Sequence, residues 1–179
     1  MPVWFITGCS SGFGAGLARL ALSAGHKVIA TSRNPSKTPE LVQEVESKGG
    51  NWLQLDVCSP DLPKVLDKAL SIHGQIDVLV NNAGFSLLGA VEDISDIEAR
   101  SQMETNFFAP LNIIRHLLPS MRSRRTGTIV NISSTAGQVA LPAVGIYAAS
   151  KHALEGIQPA YKISSLEHSH GGFILTLSQ

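Results

Sequence analysis

Cysteine, charge and aromatic side chains are all scarce in this sequence. Two cysteines, Cys9 and Cys58, stand far apart in 179 residues. That excludes a disulfide-stapled scaffold and a cysteine metal cluster, and it suits a reducing compartment. Charged residues make up 16% of the chain, with 14 basic and 14 acidic side chains. A formal net charge of zero offers no electrostatic reason to seek nucleic acid or an anionic membrane. The one basic cluster, Arg122-Ser123-Arg124-Arg125, reads as a solvated helix end. No uninterrupted apolar run reaches the roughly 20 residues that cross a bilayer. The first apolar run starts at Val3 and leaves no room ahead of it for a signal peptide, so the expected location is cytoplasmic. His26, His73, His116 and His152 are scattered, with no cysteine or carboxylate at ligand spacing, which predicts no metal site. His168 and His170 fall in a polar stretch and read as loop.

What is present is a regular beat. Apolar runs at Val3–Thr7, Lys27–Thr31, Asn51–Leu55, Ile76–Val80, Gly127–Ile132 and Phe173–Leu177 read as strands. Helical patterns lie between them, near Gly12–Ala24, Pro39–Lys48, Asp61–His73, Asp96–Arg122 and Tyr147–Gln158. Pro39 opens its helix where a missing N–H does no harm. Gly25, Gly49-Gly50 and Gly74 fall where helices should stop. Pro110 falls inside the long helical pattern and is expected to kink or divide it. Strands apolar on successive residues predict a parallel sheet covered on both faces, the doubly wound α/β class. Ligands of that class lie across the carboxyl ends of the strands. No repeat, low-complexity stretch or linker divides the chain, so residues 1–179 read as one domain.

Two motifs carry chemistry. Thr7-Gly8-Cys9-Ser10-Ser11-Gly12-Phe13-Gly14 joins the first strand to the first helix. Strand, glycine turn and helix are the context of a dinucleotide fingerprint. The glycines let the backbone approach a pyrophosphate, and the helix N-terminus offers N–H groups to it. The run lacks the Lys-Ser/Thr ending of a P-loop, and a purely structural turn is its bland alternative. At the other end, Tyr147 and Lys151 stand four residues apart, on one face of a helix. A phenol ordinarily keeps its proton to about pH 10, and a cation held close favours the phenolate. The pair is therefore suited to acid–base work on an oxygen. Taken singly, such a pair also occurs by chance.

In combination, these motifs resemble the short-chain dehydrogenase/reductase family. The Thr-Gly-x-x-x-Gly-x-Gly run, Asn81-Asn82-Ala83-Gly84 after the fourth strand, Asn106 in the long helix, and Ser134 thirteen residues before Tyr147 stand in the family's order. The resemblance covers residues 1 to about 157 and implies a Rossmann-like fold binding NAD(P). By resemblance, Gly8, Ser10, Ser11, Gly12, Phe13 and Gly14 cradle the cofactor phosphates. Asp56 and Val57 clamp the adenine, and Asn82, Ala83 and Gly84 lie against the cofactor. Ser134 holds the substrate oxygen and Tyr147 exchanges a proton with it, Ser133 being the lesser candidate. Lys151 supports the tyrosine and bonds the nicotinamide ribose, and Asn106 holds a water linking Lys151 to solvent.

At the end of the second strand Ser32 stands where an acid would grip the ribose of NAD, and Arg33 follows. A guanidinium suits the 2′-phosphate of NADP(H), so NADP(H) is expected over NAD(H). The resemblance thus implies an oxidoreductase acting on a small ketone, aldehyde or alcohol, and a homodimer paired through its two long helices. Phe85, Leu87, Leu88, Val139, Leu141 and Val144 hint at an apolar pocket. The likeness falters after Ile157. Pro159 should stop the last helix near Gln158, and the family's later Pro-Gly turn, substrate lid and last strand are not in the sequence. A second reading therefore stands beside the first, an inactive truncated family member that at most binds nucleotide.

Overall fold

The computed structural model describes residues 1–139, 142–157 and 172–177, the last through their backbone. The strands are β1 Val3–Ile6, β2 Lys27–Ser32, β3 Asn51–Gln54, β4 Val78–Asn81, β5 Gly127–Ile132 and β6 Gly172–Leu177. The helices are α1 Gly12–Ser23, α2 Pro39–Ser47, α3 Leu62–His73, α4 Asp96–Met103, α5 Ala109–Ser123 and α6 Gly145–Gly156. All neighbouring strands run parallel, in the order β3-β2-β1-β4-β5-β6. This is the expected doubly wound sheet.

Both faces of the sheet are covered, which explains the successive apolar residues of its strands. Phe5, Ile29, Leu53, Leu79 and Ile129 face α3 and α5, where they meet Leu66, Ile113, Ile114 and Leu117. Ile6, Val28, Ala30, Val80 and Val130 face the opposite way, onto Ala18 and Ala21 of α1 and Val45 of α2. Register aligns these layers: Phe5 stands opposite both Ile29 and Leu79, and Leu79 opposite Ile129. From β1 the chain winds outward through β2 to β3, then returns to lay β4 on the other side of β1. The two windings diverge at the carboxyl ends of β1 and β4, and this opens a crevice there.

Three expectations, for β4, the basic cluster and α6, need correction; the division that Pro110 led one to expect in the helix over Asp96–Arg122 is present, as α4, a π turn at Glu104–Phe108, and α5. Pro110 supplies the reason. It has no N–H to return to the carbonyl four residues back, and its ring crowds that carbonyl. The chain loosens to five-residue bonds instead, with the Ala109 N–H donating to the Glu104 carbonyl. Next, β4 begins at Val78, because Asp77 is a junction and not a strand residue. Its carboxylate accepts from the Val3 N–H at 2.9 Å and from Arg124 Nη1 at 2.8 Å. Burial alone would raise the Asp77 pKa, but the Val3, Arg124 and Gln75 hydrogen bonds hold it below its usual value. Arg124 also donates to the Ile76 carbonyl, so the basic cluster is in part a half-buried tie and not a solvated run. Last, α6 starts at Gly145, two residues before Tyr147. Gln158 and Pro159, where that helix was expected to stop, lie outside the described residues, as do Leu141, His168 and His170. Among the described residues no helix is long and apolar enough to cross a membrane.

Candidate active site

The carboxyl ends of β1, β4 and β5 meet in the crevice, and hydrogen bonds tie their loops into one unit. Thr7 Oγ1, just past β1, accepts from the Asn82 and Ala83 N–H groups at 3.0 Å each. Asn82 Nδ2 answers by donating to the carbonyls of Thr7, at 2.9 Å, and Gly8, at 3.1 Å. The asparagine foreseen as a cofactor contact thus splints the glycine loop against the loop after β4.

That loop requires its glycines. Gly8 has φ +71°, and a Cβ there would lie 2.9 Å from Ala83 Cα. At Gly14 a Cβ would run into the Gly8 carbonyl oxygen and sit 2.5 Å from Asn82 Nδ2. The helix behind the loop has no acidic residue in its first turn, and no side chain caps it. Its first N–H groups and its positive dipole end are therefore free for an anion. Ser10, Ser11, Gly12 and Phe13 are exposed around this end. The cradle fits a dinucleotide's pyrophosphate. Cys9 is not part of it: the thiol is fully buried, donates to the Ile6 carbonyl, and burial pushes its pKa up to about 12.

At the end of β2, Ser32 is buried and its hydroxyl accepts the Trp52 indole N–H at 3.1 Å. Arg33 is exposed, and its side chain makes no hydrogen bond or ion pair among the described residues. Beyond β3, Asp56 Oδ1 accepts from the Cys58 N–H at 3.0 Å and shapes the turn. The side chain of Val57 belongs to the core beside Leu55 and Leu62, so only its main chain remains for an adenine.

The residues expected to do acid–base work stand just past β5, in the π turn and on α6. Ser134 follows β5, and its Oγ accepts from the Ala136 N–H at 3.2 Å, leaving its own proton to donate. Ser133 is buried, its hydroxyl unpartnered among the described residues. Tyr147 lies in the first turn of α6 and is half-buried. Lys151, one turn on, is 6% exposed, with Nζ 5.7 Å from the Tyr147 ring centroid. The ammonium donates to the Ile132 carbonyl at 2.7 Å, which fixes it at the end of β5. Burial lowers the Lys151 pKa to about 8, and Glu155 opposes the shift only in part. Gly84 places its Cα against both groups: a Cβ there would lie 3.1 Å from Asn106 Oδ1 and 3.8 Å from Lys151 Nζ.

Asn106 sits in the π turn and is buried. Its side chain is spent on protein partners. Oδ1 accepts from the Phe85 N–H at 3.2 Å, and Nδ2 donates to the Phe85 carbonyl and to Ser150 Oγ. Ser150 in turn donates to the Tyr147 carbonyl. Sequence reasoning missed Gln102, which is fully buried and bonds Phe85 and Leu87. Its four-residue offset from Asn106 was the available signal. Of the expected pocket residues, Phe85, Leu88 and Val139 are exposed, and Leu87 and Val144 are half-buried. Among the described residues no three His, Cys, Asp or Glu side chains gather as a metal site would require.

The chain is similar in sequence and fold to known proteins. The family model described as short chain dehydrogenase matches residues 2–167. The chain is 49% identical over 158 residues to oxidoreductase claN of Passalora fulva, covering 88% of this chain and 72% of that protein. It is 41% identical over 156 residues to a 3-ketodihydrosphingosine reductase of Bacteroides thetaiotaomicron, covering 87% of this chain and 55% of that one. A crystal structure of a short-chain dehydrogenase from Streptomyces avermitilis superposes with TM-score 0.92 at 36% identity, over 99% of this chain and 64% of its own length. A metagenomic short-chain oxidoreductase in complex with NADP gives 0.89 at 29% identity, over 99% and 82%. A Burkholderia phymatum enzyme in complex with NAD gives 0.92 at 26%, over 99% and 64%. The chain thus spans between about half and three-quarters of the curated relatives it matches. Nearly the whole sequence fits the family model and its fold superposes on solved members, so this protein belongs to the short-chain dehydrogenase family of oxidoreductases.

Proposed function

We propose that the chain is the nucleotide-binding and acid–base portion of an NADP(H)-dependent oxidoreductase that interconverts a carbonyl and an alcohol. The observation that carries this reading is the buried Lys151 ammonium, pinned to Ile132 and held beside Tyr147 at the mouth of the glycine-loop crevice. Gly8 and Gly14 open the main chain to a pyrophosphate, and the α1 N-terminus supplies the donors. When bound, the nicotinamide supplies or accepts the hydride. The protein's part is to place and polarise the reacting oxygen. Ser134 donates to that oxygen, and Tyr147 gives its proton to it or takes one back. Lys151 holds its positive charge 5.7 Å from the centre of the Tyr147 ring. Its remaining N–H donors are available to a ribose hydroxyl.

NADP(H) is favoured over NAD(H) by what stands at the end of β2. There is no carboxylate to grip ribose hydroxyls, because Ser32 is turned to Trp52, and the Arg33 guanidinium is open to a phosphate. Similar structures hold either nucleotide, so the choice rests on these residues. The B. thetaiotaomicron relative named as a 3-ketodihydrosphingosine reductase supports a carbonyl substrate.

The test joins binding to chemistry. A ligand that binds only the folded chain raises its melting temperature. NADPH should raise it more than NADH at equal concentration, and Tyr147→Phe should keep that rise while losing ketone reduction. No shift with either nucleotide would sink the reading, as would turnover that survives Tyr147→Phe at neutral pH.

A further inference from the structure

We propose that Gln102 is a positioning residue that, together with Asn106, holds the substrate-side loop Phe85–Leu87 in register with the acid–base helix. The inference rests on the oxidoreductase reading above. The loop after β4 leaves the sheet at Asn81, and residues 82–88 form no regular structure. Their backbone groups have lost a strand partner and need another. Two side-chain amides supply it. Asn106 receives the Phe85 N–H and donates to the Phe85 carbonyl. Gln102 also donates to the Phe85 carbonyl and receives the Leu87 N–H at 2.8 Å. The two amides therefore serve alternate residues of the loop, Phe85 and Leu87.

Among the described residues the Gln102 side chain makes no other hydrogen bond. It sits in a polar stretch, Arg100-Ser101-Gln102-Met103-Glu104, where a glutamine would be expected in solvent, yet it is 0% exposed. Both ends of its amide reach across 15 and 17 residues, and neither bonds its own helix. The far end of the clamp meets the chemistry: Asn106 donates to Ser150 Oγ, and Ser150 donates to the Tyr147 carbonyl. Loop and tyrosine are thereby set by the same element. Gly84, at the start of the loop, lies against Lys151, so a slack loop shifts the wall facing the substrate while leaving the glycine cradle intact.

The test compares wild type with Gln102→Leu and Gln102→Glu in the 179-residue chain. Hydrogen exchange in Gln102→Leu should quicken in the segment 84–88 and stay unchanged in α1 and α3. With NADPH and a small neutral ketone, KM for the ketone should rise about tenfold, as expected for a misplaced wall, while NADPH affinity holds. Gln102→Glu keeps the acceptor for Leu87 but regains the donor for Phe85 only when protonated. Its KM defect should shrink as pH falls, because a buried carboxyl protonates readily. Unchanged exchange at 84–88, exchange quickened evenly along the chain, or an unmoved ketone KM would overturn the proposal. If wild type binds NADPH but reduces no ketone, the oxidoreductase reading fails alone, and the exchange comparison still decides for or against the clamp.

Discussion

Replacing Lys151 by methionine should change the sign of its effect on stability across the alkaline range. Methionine keeps the length of the side chain and removes the ammonium from a site only 6% exposed. In the folded chain the Lys151 pKa is about 8, against an ordinary 10.5. At about 1.4 kcal/mol for each tenfold, that gap is a cost of about 3–4 kcal/mol to the folded state. The folded pKa lies below the unfolded one. Below about pH 8 both states are protonated and the full cost is present. Between there and 10.5 the unfolded chain binds the extra proton, so stability rises with pH. Above 10.5 the cost is gone. Methionine escapes this cost but leaves the Ile132 carbonyl without its 2.7 Å donor, a loss of about 1–3 kcal/mol. The variant should therefore be more stable than wild type at neutral pH by up to about 2–3 kcal/mol, and less stable near pH 10.5 by a similar amount. Urea melts of both chains, followed by circular dichroism at intervals from neutral to alkaline pH, measure the difference directly. A difference that does not move with pH would refute the argument, for it would mean that Lys151 is not held in a desolvated site. Ketone reduction should be lost in the variant at every pH, so stability and activity would part company.

Other outcomes follow from the same structure. Arg33→Asp should weaken NADPH binding and leave NADH binding unchanged or improved, by calorimetry; an unmoved NADPH affinity would remove Arg33 as the phosphate anchor. Gly14→Ala should destabilise the chain by about 1–3 kcal/mol and abolish the NADPH-induced rise in melting temperature, because its methyl meets the Gly8 carbonyl. Gly16→Ala, where a Cβ meets nothing within 4 Å, should instead be neutral or stabilise by up to about 1 kcal/mol. Ser95→Ala removes the hydroxyl that accepts the Glu98 N–H, leaving only the backbone half of the α4 capping box, and should cost about 1 kcal/mol, a fall of about 2–4 °C in melting temperature.

The parts of this protein that were legible in the sequence are those governed by local chemistry. Apolar runs such as Val28-Ile29-Ala30 reveal strands buried on both faces, and Gly8 and Gly14 announce a turn that tolerates no side chain. The four-residue step from Tyr147 to Lys151 places both on one helix face whatever the helix packs against. Boundaries were less legible. The π turn at Asn106 arises where Pro110 withholds an N–H, and periodicity shows only that a helix should be disturbed there. Asp77 looked like a strand residue until its partners, Val3 and Arg124, were brought to it from 74 and 47 residues away.

Sequence alone determined the doubly wound class, the glycine cradle and the pairing of phenol with amine, because each depends on residues close together in the chain. Tertiary structure alone decided which polar groups face the crevice and which serve the scaffold. Ser32 is turned to Trp52, Asn82 to the Thr7 and Gly8 carbonyls, and Gln102 to Phe85 and Leu87. The physical reason is that a buried amide or hydroxyl must find a partner, and the nearest partner in space can stand 15 to 75 residues away along the chain.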